Sequence, residues 1–242
     1  MPAERVSEHV WWMPPGPPDR PSLCAVVGER WTLALDAGSS RAHTQDFLAG
    51  LPARPAAVAY THSHWDHVFG GVEIGGLVIA HALTAERLAE MTLRDWNDEA
   101  NVPAPLREEL PAPRVVEIAP ADVIFDERLE LDLGGVRVSI EHVGGDHCDD
   151  ACLMFVEPDA LLFLGDCLCA SPREEKLTRE LALPLYDRVL SYPAERFVEG
   201  HHPAVTTRAE LEALVEKARA ASRGEVTAGD EDSEYFLRAF VH

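Results

Sequence analysis

Short apolar runs that end at a glycine or a polar residue recur along the chain, and such runs are typical of buried β-strands. In the first half they occupy residues 23–28, 31–38, 56–62 and 76–81. Stretches with the apolar spacing of an amphipathic helix follow the second and the fourth run, at 41–51 and 82–96. The pattern therefore predicts strands and helices in alternation.

The second half begins with strands again. Apolar and polar residues alternate over 123–145 around the Gly134–Gly135 pair, which predicts a β-hairpin. Two more apolar strands are predicted on either side of a turn at 157–160. The proline-rich stretch 97–120, which separates the halves, has no clear period and is predicted to run over the surface.

Amphipathic helices are predicted over 174–191 and 207–222. The order of elements thus gives two β-rich halves with helices outside, an α/β protein with a largely antiparallel or mixed core. Because no repeat and no low-complexity linker divides the chain, a single domain over 1–242 is expected.

Composition changes this picture mainly through charge. Asp and Glu outnumber Lys and Arg by 42 to 21, which gives a formal net charge of −21. Such a field repels nucleic acids and anionic membrane surfaces, so neither is expected as a partner. The acidic residues are interpreted as solvated surface, and a small molecule is the expected partner, with the oligomeric state left open.

The location of the protein is predicted from two features. No apolar run approaches the roughly 20 residues that span a bilayer, and the opening MPAERVSEHVWWMPPGPPDRP lacks the apolar core of a signal peptide. The five cysteines are an odd number, which argues against a complete disulfide framework and favours a reducing compartment. A cytoplasmic location is therefore expected.

The segment THSHWDH at 61–67 follows a predicted buried strand directly. His62 and His64 are two positions apart, so on an extended segment their rings point the same way and can hold one cation. If the chain then turns, Asp66 and His67 face a neighbouring point, and one segment supplies ligands to two adjacent metal ions. Imidazole and carboxylate suit Zn²⁺, with Fe, Mn or Co as alternatives.

Three more residues of metal-binding type follow other predicted strands. They are His147 in VGGDHC, Asp166 in LFLGD and His201 in VEGHH. Each alone is weak evidence, because a polar residue after a strand is commonly a turn residue. Together with the first segment they predict a dinuclear site.

The remaining histidines and the cysteines need no metal. The histidines interpreted as structural or solvated are His9, His43, His81, His142 and His242. Thiolates also bind Zn²⁺, and four cysteines lie near the predicted ligands: Cys148, Cys152, Cys167 and Cys169. Because the set of imidazoles and carboxylates is already complete, these cysteines are interpreted as buried and inert.

With these residues in this order, the chain resembles the metallo-β-lactamase-fold hydrolases over roughly residues 20–205. The motifs that carry the resemblance, in order, are LALDAG around Asp36, THSHWDH at 61–67, GGDH ending at His147, LFLGD ending at Asp166 and EGHHP at His201. The fold that this resemblance implies is a four-layer αββα sandwich, two mixed sheets with helices outside.

The resemblance also implies two divalent metal ions, most simply Zn²⁺, with Fe or Mn as alternatives. The ligands of the first ion would be His62, His64 and His147. The ligands of the second would be Asp66, His67 and His201. Asp166 would bridge the two ions, and Asp36 would orient the histidine loop from behind.

Two motifs depart from the family pattern. The third motif more often reads Pro-Gly-His-Thr, and here His147 stands between Asp146 and Cys148. The last motif more often reads Gly-His-Gly, and here His202 follows His201 as a rival ligand. Because the family places its ligand directly after the glycine, His201 is the predicted ligand.

The implied activity is metal-dependent hydrolysis, in which a hydroxide bound by two metals attacks a small ester, thioester or lactone-like substrate. Asp66 is the predicted catalytic residue, holding the hydroxide and moving a proton. The motifs are similar to the glyoxalase II and lactonase-like branches. Two alternatives stay open: a mononuclear iron oxidoreductase of the same fold, similar to persulfide dioxygenases, and a non-catalytic metal-binding protein.

The walls of the substrate pocket are predicted in two stretches. They are 84–120, with Met91 and Trp96, and 168–190, with Leu183 and Tyr186. Both stretches are interpreted as apolar with few charges, so a mostly uncharged substrate is expected.

Overall fold

The computed structural model of the protein describes residues 2–100, 102–225 and 229–240. Its strands are β1 (Glu4–Arg5), β2 (Val10–Met13), β3 (Leu23–Val27), β4 (Thr32–Leu35), β5 (Ala57–Ala59), β6 (Leu77–His81), β7 (Val123–Phe125), β8 (Arg128–Asp132), β9 (Arg137–His142), β10 (Cys152–Glu157), β11 (Leu161–Gly165), β12 (Arg196–Glu199) and β13 (Thr206–Thr207). Its helices are α1 (Arg41–Ala49), α2 (Trp65–Val68), α3 (Gly71–Ile74), α4 (Ala82–Met91), α5 (Ala104–Glu109), α6 (Arg179–Ser191), α7 (Arg208–Ser222) and α8 (Glu231–Ala239).

The strands form two mixed sheets. In the first sheet β1 to β7 lie side by side in chain order; β1 to β4 are antiparallel, and β4 to β7 are parallel. The second sheet has the order β13-β12-β11-β10-β9-β8 and is antiparallel except for the parallel pair β11–β12. Because β9 and β11 both run opposite to β10, the ends of β9, β11 and β12 lie at one edge.

Alternation along each central strand builds the layers. In β11, Leu161 and Phe163 pack between the two sheets, while Leu162 and Leu164 pack against α6, α7 and α8. In β4, Leu33 faces the other sheet, and the next residue, Ala34, faces the layer of α1, α3 and α4. Strands covered on both faces are apolar throughout, which explains the continuous apolar runs. Two mixed sheets with flanking helices confirm the predicted αββα fold.

Two predictions about elements were wrong. The stretch 97–120 is not only a surface excursion, because it contains α5, and Val102 and Leu106 are buried in the core under the helices of the first sheet. The helix predicted from Ala82 ends at Met91 instead of continuing to 96. The helix α8 was not predicted; its Phe236 is buried against α6.

None of the helices in the part of the chain that the structure describes combines the length and the hydrophobicity that crossing a lipid bilayer requires.

Candidate metal centre

The seven predicted ligands meet at one edge of the two sheets. The loop that starts at His62 follows β5, His147 follows β9, Asp166 follows β11 directly, and His201 follows β12. Each strand is fixed in the core, so the positions of these side chains are determined by the fold rather than by the loops alone.

Close backbone contacts explain two glycines at this edge. Gly165 has φ +53°, and a Cβ there would lie 2.6 Å from Thr61 Oγ1. A Cβ on Gly200 would lie 1.9 Å from Asp166 Oδ1. Asp166 and His201 can therefore approach each other only because Gly200 has no side chain.

Four of the predicted ligands form a compact second cluster. Asp66, His67, Asp166 and His201 each offer one ligand atom, and these atoms all lie within 4.8 Å of one another. His201 Nε2 lies 3.2 Å from Asp66 Oδ2 and 3.4 Å from Asp166 Oδ2, and His67 Nε2 lies 3.3 and 3.4 Å from the same two oxygens.

The first cluster lies beside it. His62 and His147 offer ligand atoms within 4.8 Å of each other, and the third member at this distance is Cys148. His64 Nδ1 faces His147 Nε2 at 2.9 Å. Asp166 Oδ2 lies 3.3 Å from His147 Nε2, so its carboxylate stands between the clusters, where a bridging ligand is expected.

Buried polar atoms without partners test whether these residues fit metal ions. Among the described side chains, His62 Nε2, His67 Nε2 and Asp166 Oδ1 are buried and make no hydrogen bond. An unsatisfied buried nitrogen or oxygen is costly, and here the three converge on the two clusters. A cation in each cluster would satisfy them, so the donor set fits two metal ions. The role of each ligand stays a prediction.

Asp36 supports the histidine loop as predicted. It is fully buried, and it holds φ +59°, a conformation that Asp tolerates better than most residues. Its carboxylate accepts hydrogen bonds from Thr61 N and Thr61 Oγ1, each at 2.7 Å, and from His67 Nδ1 at 2.7 Å. The last contact leaves His67 Nε2 directed at the second cluster.

The histidines of the two clusters have pKa values shifted in opposite directions. Burial, with the neighbouring His67, lowers the pKa of His62 well below its usual range, and burial with His147 lowers the pKa of His64 to about 4. Burial opposes protonation of His201, but hydrogen bonds to Asp166 and Asp66 raise its pKa to about 10. Against the same effect of burial, three carboxylates led by Asp166 raise the pKa of His67.

Sequence reasoning missed Asp150. This carboxylate is fully buried behind the histidine loop, and it accepts hydrogen bonds from Ser63 N at 3.0 Å, Thr84 Oγ1 at 2.9 Å and Arg87 Nη1 at 2.6 Å. It therefore fixes the loop at Ser63, whereas Asp36 fixes it at Thr61 and His67. The only local signal was the acidic pair that follows His147 and Cys148.

The unusual third motif has a structural explanation at Asp146. Its carboxylate accepts hydrogen bonds from Thr178 N at 3.0 Å and Thr178 Oγ1 at 2.9 Å. This contact ties the loop of His147 to the start of α6. The other ring nitrogen of His147, Nδ1, donates to Ala170 O at 3.1 Å, so the ring is held from behind.

His202 does not face the clusters. Its side chain is exposed, and Nδ1 donates to Ala204 O at 2.9 Å. His81 and His142 stack on each other with ring centroids 3.7 Å apart, and His43 accepts from Ser39 N. His9 pairs with Asp159, and His242 lies outside the described residues. All five cysteines are free.

Two cavities flank the centre. One, of about 450 Å³, reaches His64 and His147 and is lined by Met91. The other, of about 900 Å³, reaches His201 and is lined by Tyr186. Trp96 is instead buried against Phe69 in the core, and Leu183 packs in the helical layer.

The expectation of nearly uncharged walls was wrong. The smaller cavity is lined by three guanidinium groups, those of Arg87, Arg94 and Arg173, together with Glu90 and Asp149. Arg87 pairs with Asp149 and Asp150, and Arg94 stacks on Trp96. Three arginines therefore line one cavity of a protein whose formal net charge is −21.

Comparison with known proteins agrees with this architecture. The sequence profile of the metallo-beta-lactamase superfamily matches residues 17–216. No curated protein sequence matches the chain.

Solved structures give the same fold. A metallo-beta-lactamase from Pontibacter korlensis superposes with a TM-score of 0.63 at 20% identity, covering 88% of this chain and 96% of that one. An archaeal metallo-beta-lactamase superfamily protein from Sulfolobus tokodaii gives 0.63 at 17%, covering 95% and 94%. A stereoselective inverting sec-alkylsulfatase from Pseudomonas sp. gives 0.68 at 14%, covering 97% of this chain but 47% of its own length. Identities this low establish the fold alone.

Proposed function

Because the chain belongs to the metallo-beta-lactamase superfamily, and because its donor clusters fit two metal ions, we propose that it is a metal-dependent hydrolase. The observation that carries the proposal is the convergence of unpartnered buried donors, His62 Nε2, His67 Nε2 and Asp166 Oδ1, on two adjacent clusters. Buried donors without partners are costly, and a metal ion in each cluster would satisfy them.

The proposed metals are two Zn²⁺ ions. His62, His64 and His147 would hold the first ion. Asp66, His67 and His201 would hold the second, and Asp166 would bridge them. When bound, a pair of such ions about 3.5–4 Å apart lowers the pKa of a bound water toward about 7 and stabilises developing negative charge.

Residues of the chain supply the rest of the chemistry. His67 opposes the effect of burial and lowers the pKa of Asp66, so Asp66 is a carboxylate at neutral pH and can accept the proton of the attacking water. Its Oδ2 lies 3.2 Å from His201 Nε2, which keeps it in place. Asp36 and Asp150 hold the histidine loop at different residues, so the ligands do not have to reorganise.

The proposed substrate is a small ester, thioester or lactone-like molecule. The cavity of about 450 Å³ next to His64 and His147 has room for a small ligand only. Arg173 in its wall would pair with a negatively charged group, so we favour a substrate that carries an anionic substituent near the scissile bond.

A small-molecule substrate also agrees with the overall charge. The net charge of −21 disfavours nucleic acid and anionic membranes as partners. Five free thiols agree with the proposed cytoplasmic location.

Elemental analysis of the purified protein, combined with a screen of ester, thioester, lactone, lactam and phosphodiester substrates, tests the proposal. Two Zn²⁺ per chain and hydrolysis of an ester, thioester or lactone would support it. One iron per chain with oxygen consumption would replace it by a mononuclear iron oxidoreductase. Bound metal with no turnover on any substrate class would point to a non-catalytic metal-binding protein.

A further inference from the structure

Cys148 is the one residue of the first cluster that the proposed ligand set does not use. It follows His147 in the chain, and its Sγ and a ring nitrogen from each of His62 and His147 all lie within 4.8 Å of one another. The thiol is partly buried and lines the same cavity as His64 and His147. A sulfur donor therefore lies within reach of the place where the first ion is proposed.

An independent observation is that a buried ring nitrogen next to Cys148 has no hydrogen-bond partner. His62 is 1% exposed, and its Nε2 makes no hydrogen bond with any described residue. The other side of the ring is fixed, because Nδ1 lies 3.0 Å from Thr61 Oγ1. His62 Nε2 is thus held toward the space that the thiol of Cys148 borders.

We propose that the Cys148 thiolate is an additional ligand of the first metal ion, which then has three imidazole ligands, the bridging Asp166 carboxylate and one thiolate. This inference rests on the metal centre of the proposed function. Zn²⁺ accepts nitrogen, oxygen and sulfur donors, and its sites can expand from four ligands to five. Thiolates select soft cations, so the first site prefers Zn²⁺ or Co²⁺ to Mn²⁺.

The ligand set has a consequence for the reaction. Five protein ligands leave the first ion without an open position, whereas the second ion has four protein ligands and keeps the open position that catalytic sites require. The water to be activated is then held at the second cluster, where Asp66 is within reach. Binding is not a redox step: the metal–sulfur bond replaces the S–H bond, and the proton leaves to solvent.

Cobalt substitution tests the proposal directly. Metal-free protein is loaded with Co²⁺, and the near-ultraviolet absorption that a thiolate–cobalt bond produces is recorded for the wild type, Cys148→Ser and Cys169→Ser. The Cys169 variant is the matched control, because Cys169 is also partly buried and lines the other cavity. The band is expected in the wild type and in Cys169→Ser, and it should be lost in Cys148→Ser.

Metal affinity gives a second readout. In Cys148→Ser, Zn²⁺ affinity at one of the two sites should fall by at least about tenfold, since even the loss of an outer partner costs about 10–100-fold, while Mn²⁺ affinity should change little. Absence of the band in the wild type, or its persistence in Cys148→Ser, would overturn the proposal.

A measurement on the wild type does not depend on the folding of a variant. Zn²⁺ should slow alkylation of Cys148 by iodoacetamide, read by mass spectrometry, and leave alkylation of Cys169 unchanged. Equal rates at Cys148 with and without Zn²⁺ would refute the ligation. A cobalt band without hydrolytic activity would contradict only the proposed function. Hydrolysis without the band would contradict only the ligation by Cys148.

Discussion

At the level of single residues, four of the five imidazoles of the centre have one nitrogen near a cluster and the other next to a supporting group of the protein. Asp36 holds His67, Ala170 O holds His147, and Thr61 Oγ1 lies against His62. His201 has Asp19 on its far side, with Nδ1 and Oδ1 separated by 3.5 Å. Such support fixes ring orientation and raises metal affinity.

The pair His201 and His202 provides a matched comparison. His201→Ala should remove the metal of the second cluster, because its Nε2 lies against both Asp66 and Asp166. His202→Ala should leave the metal content unchanged, because this side chain is exposed and bonds only to a nearby carbonyl. The metal stoichiometry of the two variants, measured side by side, shows which histidine is the ligand. Loss of metal from the His202 variant alone would shift the ligand assignment by one residue.

Proton release should distinguish the clusters. In metal-free protein at pH 7, His201 is protonated because its pKa is raised to about 10, and the raised pKa of His67 has the same effect. His62, His64 and His147 have lowered pKa values and are neutral. Metal binding at the second cluster must displace protons, so affinity there should rise about tenfold per pH unit for each proton displaced.

Calorimetric titration in buffers of different ionisation enthalpy measures this release. The second cluster should release about two protons at pH 7, and its affinity should increase from pH 6 to 8. The histidines of the first cluster should release none. An affinity of the second cluster that does not change with pH would mean that the raised pKa values are wrong.

At the level of elements, the strand ends were predictable and the supports between distant elements were not. The apolar runs before His62, Asp166 and His201 required strands, and strands place their following residues at a sheet edge. Asp150 was missed because its function depends on Ser63 and Thr84, which lie 87 and 66 positions away. The helix α5 was missed because prolines obscure its period, although its Leu106 is fully buried.

Asp150→Asn tests the support of the histidine loop. The change removes the charge that pairs with Arg87 and weakens the hydrogen bond to Ser63 N, so unfolding free energy should fall by about 1–3 kcal/mol and metal affinity by about 10–100-fold. Urea denaturation and metal titration measure the two effects.

The neighbouring Asp149 provides the control. Its side chain is 68% exposed and also pairs with Arg87, so Asp149→Asn should change stability by less than about 0.5 kcal/mol. Equal losses for the two variants would show that the charge near Arg87 matters, and not the buried position of Asp150.

At the level of the whole molecule, a strongly acidic protein brings three arginines together at one mouth of its metal centre. The sequence could not show this, because Arg87, Arg94 and Arg173 are far apart in the chain and only the fold brings them to one cavity. The overall negative charge of the protein repels negatively charged small molecules at long range. The arginines can therefore attract such a molecule only at short range, inside the cavity.

Replacement of Arg173 tests the preference for an anionic substrate. Arg173→Gln should raise KM for a carboxylate-bearing ester by about tenfold, since a hydrogen bond to a charged group contributes about 1.5–3 kcal/mol. kcat and the KM of a matched neutral ester should stay unchanged. Arg223→Gln is the control, because Arg223 is exposed and pairs with Glu225. An equal effect on both esters would contradict charge recognition.

The central claim is that two metal ions held by these residues are required for hydrolysis, and metal removal followed by stepwise reconstitution tests it most directly. Chelated protein is titrated with Zn²⁺ while bound metal and turnover of the best ester, thioester or lactone are measured together, for the wild type and Asp166→Ala. The wild type should bind two equivalents and regain activity as the second binds, whereas Asp166→Ala should bind fewer and remain nearly inactive. Full activity in the chelated protein, or in Asp166→Ala, would contradict the claim.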